Sequence, residues 1–336
     1  MNYRQFGNTE LKVSELCYGT MRYASKSGTE DEVSAAGRRA LEEAIERGVN
    51  FIHSSYEYGT RWLTGSVLEK HPKRSELLHI IKVNVPDWGV ARFDKKDFRR
   101  QIEEALRDLH TDRIAVVQHL QRGEVPRELG YSDAGEPRRL SDYDAVIGPL
   151  AEVFEELKQE GKVGYLTTFP YTVGYARRAL DSGLFAGVVA YFNMLETEML
   201  DLFPAMRERG QGFIGIRGLM AGLLTDRRHD RNALPEGDRF ADDEYRRAYD
   251  QLDALKAKLT EPVESWTNLA LRFSIADDTI ASTVVGINSP EQLHGVLDAL
   301  DGPRPSAQMI AAAHEVCSDF RARFGVQGNN AGVLTY

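Results

Sequence analysis

A polar segment directly after a short apolar run is the part of the chain best suited to chemistry. The run extends from Asn50 to His53, and the next five residues include two serines, a glutamate and two tyrosines, ending at Tyr58. Phenol, imidazole and carboxylate groups can exchange protons with a bound substrate. In a barrel of alternating strands and helices, such groups at the carboxyl end of a strand would lie on the catalytic face. A loop whose tyrosines and serines only solvate its own backbone is the alternative that these residues leave open.

The elements that would position this segment follow a regular alternation. Eight apolar runs typical of buried strands alternate with segments in which apolar residues recur at helical spacing, for example Phe98, Ile102 and Ala105. Such units indicate a parallel sheet, and eight of them favour a closed (β/α)8 TIM barrel in the α/β class. A doubly wound sheet is disfavoured because no Gly-x-Gly-x-x-Gly follows an early strand. We expect an N-terminal β-hairpin over 3–13 and two extra C-terminal helices over 290–300 and 306–324.

Two long polar segments interrupt this alternation, and both follow strands. Residues 121–144 come after the fourth strand and residues 225–242 after the seventh. Long loops on the catalytic face are often lids or binding loops, and disordered surface is the alternative. No linker or low-complexity tract divides the chain, so residues 1–336 are predicted to form a single domain.

Composition narrows the classes of partner. The 336 residues carry a formal net charge of -9, which argues against nucleic acid or an anionic membrane as the main partner. No apolar run approaches the roughly 18 residues needed to span a bilayer, and no signal peptide is recognisable, so the expected location is cytoplasmic. The two cysteines do not form a disulfide framework. Metal binding is not expected, because no carboxylate or thiol lies at a spacing from His53 and His119 that is typical of metal ligands.

Five segments, in order along the chain, resemble the aldo-keto reductase superfamily. Gly48 to Gly59 (G-V-N-F-I-H-S-S-Y-E-Y-G) resembles the family's G-x-N-F-x-D-T-A-x-x-Y-G. Gly218 to Thr225 resembles P-L-x-x-G-x-L-T, and Val285 to Leu293 resembles G-x-x-S-x-x-Q-L. The opening residues Tyr3 to Ser14 and the segment Gly19-Thr-Met are similar to the family's hairpin and to the end of its first strand.

The resemblance implies a reaction and the residues that perform it. In this family NADPH binds across the C-terminal face of the barrel and reduces a small-molecule carbonyl compound, while a tyrosine protonates the carbonyl oxygen. The tyrosine falls on Tyr58 and the lysine that tunes it falls on Lys82. The family's aspartate falls on His53, and a neutral imidazole cannot supply the negative charge that keeps Lys82 cationic. The tuning of Tyr58 must therefore differ from that of the family.

The family's catalytic histidine is also displaced. An ungapped match places it on Leu120, with His119 one residue early. Because strand side chains alternate between faces, His119 would reach the site only through a bulge or a locally different strand end. A histidine packed behind the barrel wall is the alternative.

The implied cofactor site is retained at one end only. The positions that hold the nicotinamide carboxamide in the family carry Phe169, Pro170 and Val189, the stacking aromatic is Ile216, and the adenine-binding pair falls on Gly295 and Val296. Positions that could hold the pyrophosphate or the 2′-phosphate remain, namely Arg217, Leu219, Gly222, Gly286, Asn288, Ser289 and Gln292. Tyr23 and Trp88, with Arg122 and Tyr131, are expected to shape the substrate pocket.

Three functions stay open at this point. The first is an NADPH-dependent carbonyl reductase with an altered site. The second is a cofactor-independent acid–base enzyme on the same barrel, such as a dehydratase, lyase, isomerase or cyclase, that uses Tyr58, Lys82, His53 and His119. The third is a non-enzymatic binding protein.

Overall fold

Eight parallel strands close into a barrel within residues 1–325, the part of the chain that the computed structural model describes. An antiparallel hairpin precedes the barrel, and its strands are β1 (Tyr3–Gln5) and β2 (Lys12–Ser14). The barrel strands are β3 (Leu16–Gly19), β4 (Phe51–Ser55), β5 (Leu78–Asn84), β6 (Ile114–Leu120), β7 (Val163–Thr168), β8 (Gly187–Tyr191), β9 (Gly212–Ile216) and β10 (Ile280–Gly286). Each barrel strand pairs with the next, and β10 pairs with β3. The predicted (β/α)8 barrel and N-terminal hairpin are confirmed.

Helices surround the barrel. They are α1 (Glu32–Glu46), α2 (Arg61–Leu68), α3 (Lys95–Asp108), α4 (Glu136–Ser141), α5 (Tyr143–Gln159), α6 (Val173–Asp181), α7 (Phe203–Arg209), α8 (Arg246–Lys258), α9 (Trp266–Phe273), α10 (Pro290–Leu300) and α11 (Ala307–Phe324). Several begin at a side chain that accepts a hydrogen bond from the first turn, as Asp31, Asp94 and Ser306 do for α1, α3 and α11. No helix within residues 1–325 is long and apolar enough to cross a membrane.

Alternation along the strands separates the barrel interior from the helix layer. Phe51 and Ile80 pack inside the barrel, where Phe6 of the hairpin closes the N-terminal end. Their neighbours Ile52 and Ile81 point outward and pack against the helices. Burying each such side chain contributes about 1.5–3 kcal/mol. The same alternation assigns a face to every polar residue farther along these strands.

The polar segment 121–144 is ordered rather than loose. It contains two short 3-10 turns and helix α4, and α5 begins at Tyr143. Arg139 of α4 is fully buried and donates to the main-chain oxygens of Gln121 and Gly130, at 3.0 Å each. Its guanidinium carbon lies 4.4 Å from the centre of the Tyr171 ring. These contacts anchor the segment over the C-terminal end of the barrel.

Tyr23 lies in the helix layer and not at the barrel mouth. Its side chain is fully buried, its hydroxyl lies 2.5 Å from the Thr64 hydroxyl, and its ring packs edge-on against Tyr18. Helix α1 approaches the same segment so closely that a Cβ on Gly37 would lie 1.9 Å from the Tyr23 carbonyl oxygen. The interpretation of Tyr23 as a substrate-pocket residue is therefore corrected, because the chain after β3 turns outward and packs it between α1 and α2.

This close approach gives a testable pair of substitutions. Gly37→Ala should lower the free energy of unfolding by about 2–3 kcal/mol, because α1 or the Tyr23 backbone must move. Gly295→Ala is the matched control, since no atom lies within 4 Å of a Cβ built there in α10. It should raise stability by about 0.5–1 kcal/mol through helix propensity. Denaturant melts of the two variants measure whether the free energy of unfolding falls in Gly37→Ala and rises in Gly295→Ala. Equal losses of stability in the two variants would contradict the packing argument.

Candidate active site

Tyr58, Lys82 and His53 meet at the carboxyl ends of two paired strands. Ser55, the last residue of β4, pairs with Lys82 of β5, and Tyr58 lies in the 3-10 turn Tyr56–Tyr58 that follows β4. The Lys82 ammonium nitrogen lies 5.0 Å from the centroid of the Tyr58 ring. The ring centres of His53 and Tyr58 are 6.1 Å apart. The structure thus brings together three of the four residues that the sequence singles out for catalysis.

The turn that carries Tyr58 is built from short-range contacts. The Ser55 hydroxyl accepts a hydrogen bond from the Glu57 amide, and the Gly59 amide donates to the Tyr56 carbonyl, each at 3.3 Å. Gly59 ends the turn with φ of 66°, in the left-handed region that glycine adopts without strain. Tyr58 is 6% exposed, so its phenol lies at the edge of the barrel interior.

His53 is a neutral group in this site. Burial and the neighbouring Lys82 ammonium lower its pKa to about 3, and only a hydrogen bond to Gln118 opposes them. The His53 Nε2 lies 2.8 Å from Gln118 Oε1, within hydrogen-bond distance. Lys82 therefore faces an uncharged ring where a carboxylate would stand in the family motif.

Gln118 is the functional candidate that sequence reasoning missed. It is fully buried, pairs with Lys82 across β5 and β6, and leaves its Nε2 without a protein partner. Strand alternation in the sequence could have identified Gln118. It lies two residues before Leu120, and therefore its side chain points to the same, inward face of β6.

His119 points the opposite way, into the helix layer. Its Nε2 lies 2.6 Å from the Val85 carbonyl oxygen, and its ring packs against Phe93 and Phe98 at about 6 Å between centres. Burial lowers its pKa to about 4. β6 has no bulge that would turn this side chain inward, because its register with β5 and β7 is regular around His119. The interpretation of His119 as a catalytic residue is therefore corrected, and the packed alternative agrees with the structure.

Aromatic side chains line the mouth on the side of β6, β7 and β8. The cluster consists of Leu120, Phe169 and Tyr171, packed against the partly buried Trp88, Tyr131, Tyr191 and Ile216. Tyr131 reaches into it from segment 121–144 and stacks on Tyr191, with ring centres 6.0 Å apart and planes 11° apart. Trp88 contacts Tyr171 edge-on at 5.8 Å, which places it at the mouth. This wall offers a substrate flat apolar surfaces.

An ion-pair network around the buried Arg122 borders the same mouth. Arg122 donates to both carboxylate oxygens of Glu57, at 2.7 and 3.0 Å, and to Asp87 at 2.8 Å. Its Nε donates to the Tyr171 hydroxyl at 3.1 Å. Burial alone would raise the pKa of Glu57, but the hydrogen bonds from Arg122 outweigh it and hold that pKa below its usual range. Glu57 and the Arg122 guanidinium therefore remain charged at neutral pH.

The opposite side of the mouth holds the N-terminus of α10. Ser289 caps this helix by accepting from the Gln292 amide, and the Gln292 side chain accepts from the Asn288 amide at 2.9 Å. Gly286, at the end of β10, is exposed, and within residues 1–325 no atom from elsewhere in the chain lies within 4 Å of a Cβ built on it. Backbone N–H groups at a helix N-terminus attract phosphate groups.

The loop after β9 connects this helix to the aromatic wall. Arg217 adopts φ of 68°, its guanidinium carbon lies 4.7 Å from the Tyr191 ring centre, and its Nη1 lies 3.3 Å from a carboxylate oxygen of the buried Glu196. The Asn193 side chain donates to the Arg217 carbonyl at 3.1 Å, which fixes the loop. Leu219 and Gly222 follow on the same loop, where Gly222 has φ of 106°.

The residues present fit a dinucleotide at its phosphate end and not at its carboxamide end. Open space above Gly286 and the capped N-terminus of α10 suit phosphate groups. By contrast, Phe169 and Val189 are buried in apolar surroundings and have no polar side-chain atoms with which to bind a carboxamide. These two side chains therefore cannot supply hydrogen bonds to that amide.

Comparison with known proteins agrees with the fold. Residues 15–316 match the model of the Aldo/keto reductase family. The chain belongs to the aldo-keto reductase family. This aldo-keto reductase is 26% identical over 325 residues to the uncharacterized oxidoreductase YrpG of Bacillus subtilis, covering 90% of this chain and 91% of that protein. It is 27% identical over 307 residues to L-galactose dehydrogenase of Arabidopsis thaliana, covering 86% and 85% of the two chains.

A solved structure confirms the architecture of this aldo-keto reductase. The holo form of the aldo-keto reductase AKR11C1 from Bacillus halodurans superposes with a TM-score of 0.71 over 94% of this chain and 96% of that one, at 23% sequence identity. Family membership and the oxidoreductase relatives together support a carbonyl-reducing oxidoreductase acting on small molecules.

Proposed function

We propose that this aldo-keto reductase reduces the carbonyl group of a small molecule with NADPH, with Tyr58 as the proton donor and Lys82 as the residue that tunes it. The observation that carries the proposal is the 5.0 Å separation between the Lys82 nitrogen and the Tyr58 ring centre at the barrel mouth. NADPH, when bound, would supply the hydride to the carbonyl carbon.

In this proposal the protein's own residues handle the proton. A carbonyl oxygen that gains negative charge during reduction takes the proton from the Tyr58 hydroxyl. A phenol has a pKa of about 10, and a nearby ammonium group stabilises the phenolate that remains. Lys82 supplies that positive charge. The neutral His53 and its partner Gln118 keep the interior face of the site polar without adding charge.

The phosphate groups of the cofactor would lie between the β9 loop and α10. Arg217, Leu219 and Gly222 would hold them from the loop, and Gly286, Asn288, Ser289 and Gln292 from the end of β10 and the start of α10. The helix N-terminus adds a favourable electrostatic term for a phosphate group. The aromatic wall with Trp88 would contact the substrate.

Direct titration of the apo protein with NADPH and NADH tests the cofactor. We expect micromolar NADPH binding, and Ser289→Ala should weaken it about tenfold through the loss of one hydrogen bond to an anionic group. Ser306→Ala is the matched control, because Ser306 caps α11 in the same manner. Both variants should lose about 1 kcal/mol of stability, but only Ser289→Ala should lose affinity.

A cofactor-independent acid–base enzyme is the second candidate. The apolar character of the carboxamide end, at Phe169 and Val189, favours it. Absence of NADPH and NADH binding at hundreds of micromolar, with calorimetry as the measurement, would decide for this candidate. Tyr58 and Lys82 would then act on substrates that lose water or rearrange.

A further inference from the structure

One arginine side chain connects the loops that follow four consecutive barrel strands, its own loop and three others. Arg122 follows β6, and it binds Glu57 after β4, Asp87 after β5 and Tyr171 after β7. Its guanidinium carbon also lies 5.6 Å from the centre of the Trp88 ring. Only 7% of the Arg122 side chain is exposed, so the guanidinium itself is shielded from solvent, while its carboxylate partners Glu57 and Asp87 are 31% and 39% exposed. Movement of any one of these loops would break a buried charged contact.

Glu57 connects this arginine to the proposed chemistry. It lies between Tyr56 and Tyr58 in the turn after β4. The internal hydrogen bonds of that turn, from the Glu57 and Gly59 amides, are both long at 3.3 Å. A short 3-10 turn with long hydrogen bonds holds its conformation weakly. The paired contacts from Arg122 to the two Glu57 oxygens are shorter and charge-assisted, and so are the stronger restraint.

We propose that Arg122 is a positioning residue that fixes the Tyr58 hydroxyl at the barrel mouth by binding Glu57. This inference rests on the proposed function, in which Tyr58 donates the proton. Arginine suits the role because its planar fork matches a carboxylate at two points, whereas lysine offers a single point charge. Asp87 accepts a further hydrogen bond from Nη1, and the Tyr171 hydroxyl accepts one from Nε, so these two groups hold the guanidinium in place beside Glu57.

Steady-state kinetics with NADPH and 4-nitrobenzaldehyde as the probe substrate give the first readout. Arg122→Met and Glu57→Gln should each lower kcat about 10–100-fold, because a displaced proton donor costs rate. KM for NADPH should stay within about twofold, since neither residue lies near α10. Arg122→Lys should recover part of the lost kcat but not all of it. The double variant should be no slower than Arg122→Met, because both changes remove the same contact.

Arg4→Met is the matched control for loss of a buried arginine. The Arg4 side chain is 10% exposed and bound to Glu15 at 2.6 Å, but it lies at the opposite, N-terminal end of the barrel. It should lower the melting temperature as Arg122→Met does, yet leave kcat of the folded protein within about twofold.

Hydrogen exchange provides a readout that does not depend on turnover. The Glu57 and Gly59 amides report on the turn, and their exchange should accelerate at least about tenfold in Arg122→Met and in Glu57→Gln. Arg4→Met should leave those two amides unchanged. Unchanged exchange in Arg122→Met overturns the inference, whatever the kinetics.

The outcomes also separate this inference from the function on which it rests. Parent-like kcat in Arg122→Met, with activity abolished by Tyr58→Phe, overturns the positioning role alone. Full activity in Tyr58→Phe overturns the proposed function and the positioning role together. A loss of kcat in the Arg122, Glu57 and Tyr58 variants but not in Arg4→Met, with faster exchange at Glu57 and Gly59 in the Arg122 and Glu57 variants, supports both.

Discussion

Replacement of Tyr58 by phenylalanine is expected to lower kcat about 1,000-fold and to leave NADPH affinity unchanged. The substitution removes only the hydroxyl that would protonate the carbonyl oxygen, and general acid catalysis contributes about 10²- to 10⁴-fold. The ring itself stays, so its contact with the Lys82 ammonium is retained. Single-turnover reduction of 4-nitrobenzaldehyde, followed by the loss of NADPH absorbance, measures the chemical step directly.

Tyr56→Phe is the matched control for that experiment. Tyr56 lies in the same turn, but it is 38% exposed and its hydroxyl makes only long contacts, at 3.4 Å from the Asn84 amide and 3.5 Å to Asp87. We expect its kcat to remain within about threefold of the parent, since surface substitutions change little. Equal losses from both tyrosines would show that the turn, and not the Tyr58 hydroxyl, limits the rate.

Acidification is expected to remove about 6 kcal/mol of stability between pH 7 and pH 5. Burial lowers the pKa of His53 to about 3 and those of His79 and His119 to about 4, against 6.5 in the unfolded chain. Between those values the unfolded state binds more protons than the folded state, so stability falls as the pH falls. Each histidine contributes about 2 kcal/mol over this range. Urea melts at a series of pH values measure the slope.

The His79→Leu variant tests the contribution of one of these three histidines to the loss of stability at low pH. Among the residues that the structure describes, neither ring nitrogen of His79 has a hydrogen-bond partner, and the residue is buried next to Arg61. The variant should match or exceed the parent in stability at pH 8, because an unpaired polar group leaves the interior. Its loss of stability between pH 7 and pH 5 should be smaller by about 2 kcal/mol. An unchanged slope would show that His79 does not contribute to acid unfolding.

The barrel could be predicted because its signals are local. Helical spacing at Phe98, Ile102 and Ala105 and the apolar runs between helices require no knowledge of distant contacts. The helical pattern of apolar residues is weaker in α2, because its eight residues include Gly65 and make little more than two turns. The meeting of Tyr58 and Lys82 also followed from the fold, because both lie at the carboxyl ends of neighbouring parallel strands.

The rest of the site depends on contacts between residues far apart in sequence. The direction of the His119 side chain depends on whether β6 contains a bulge near its end. No residue type in that segment predicts the presence or absence of a bulge. Tyr23 sits where the chain after β3 folds back against α1, a path set by the close approach of Gly37. The Arg122 network joins residues up to 65 positions apart, so its partners could not be paired from the sequence alone.

The position of Trp88 gives the protein an optical label at its own barrel mouth. The protein has three tryptophans. Trp62 lies in the first turn of α2, and its indole N–H donates a hydrogen bond to the Ser25 carbonyl. Trp266 is the first residue of α9 and stacks on His229. Trp88 alone lies beside the Arg122 guanidinium and the Tyr171 ring. A protein with phenylalanine at positions 62 and 266 would therefore emit from the mouth only, and its fluorescence would follow ligand arrival there in real time.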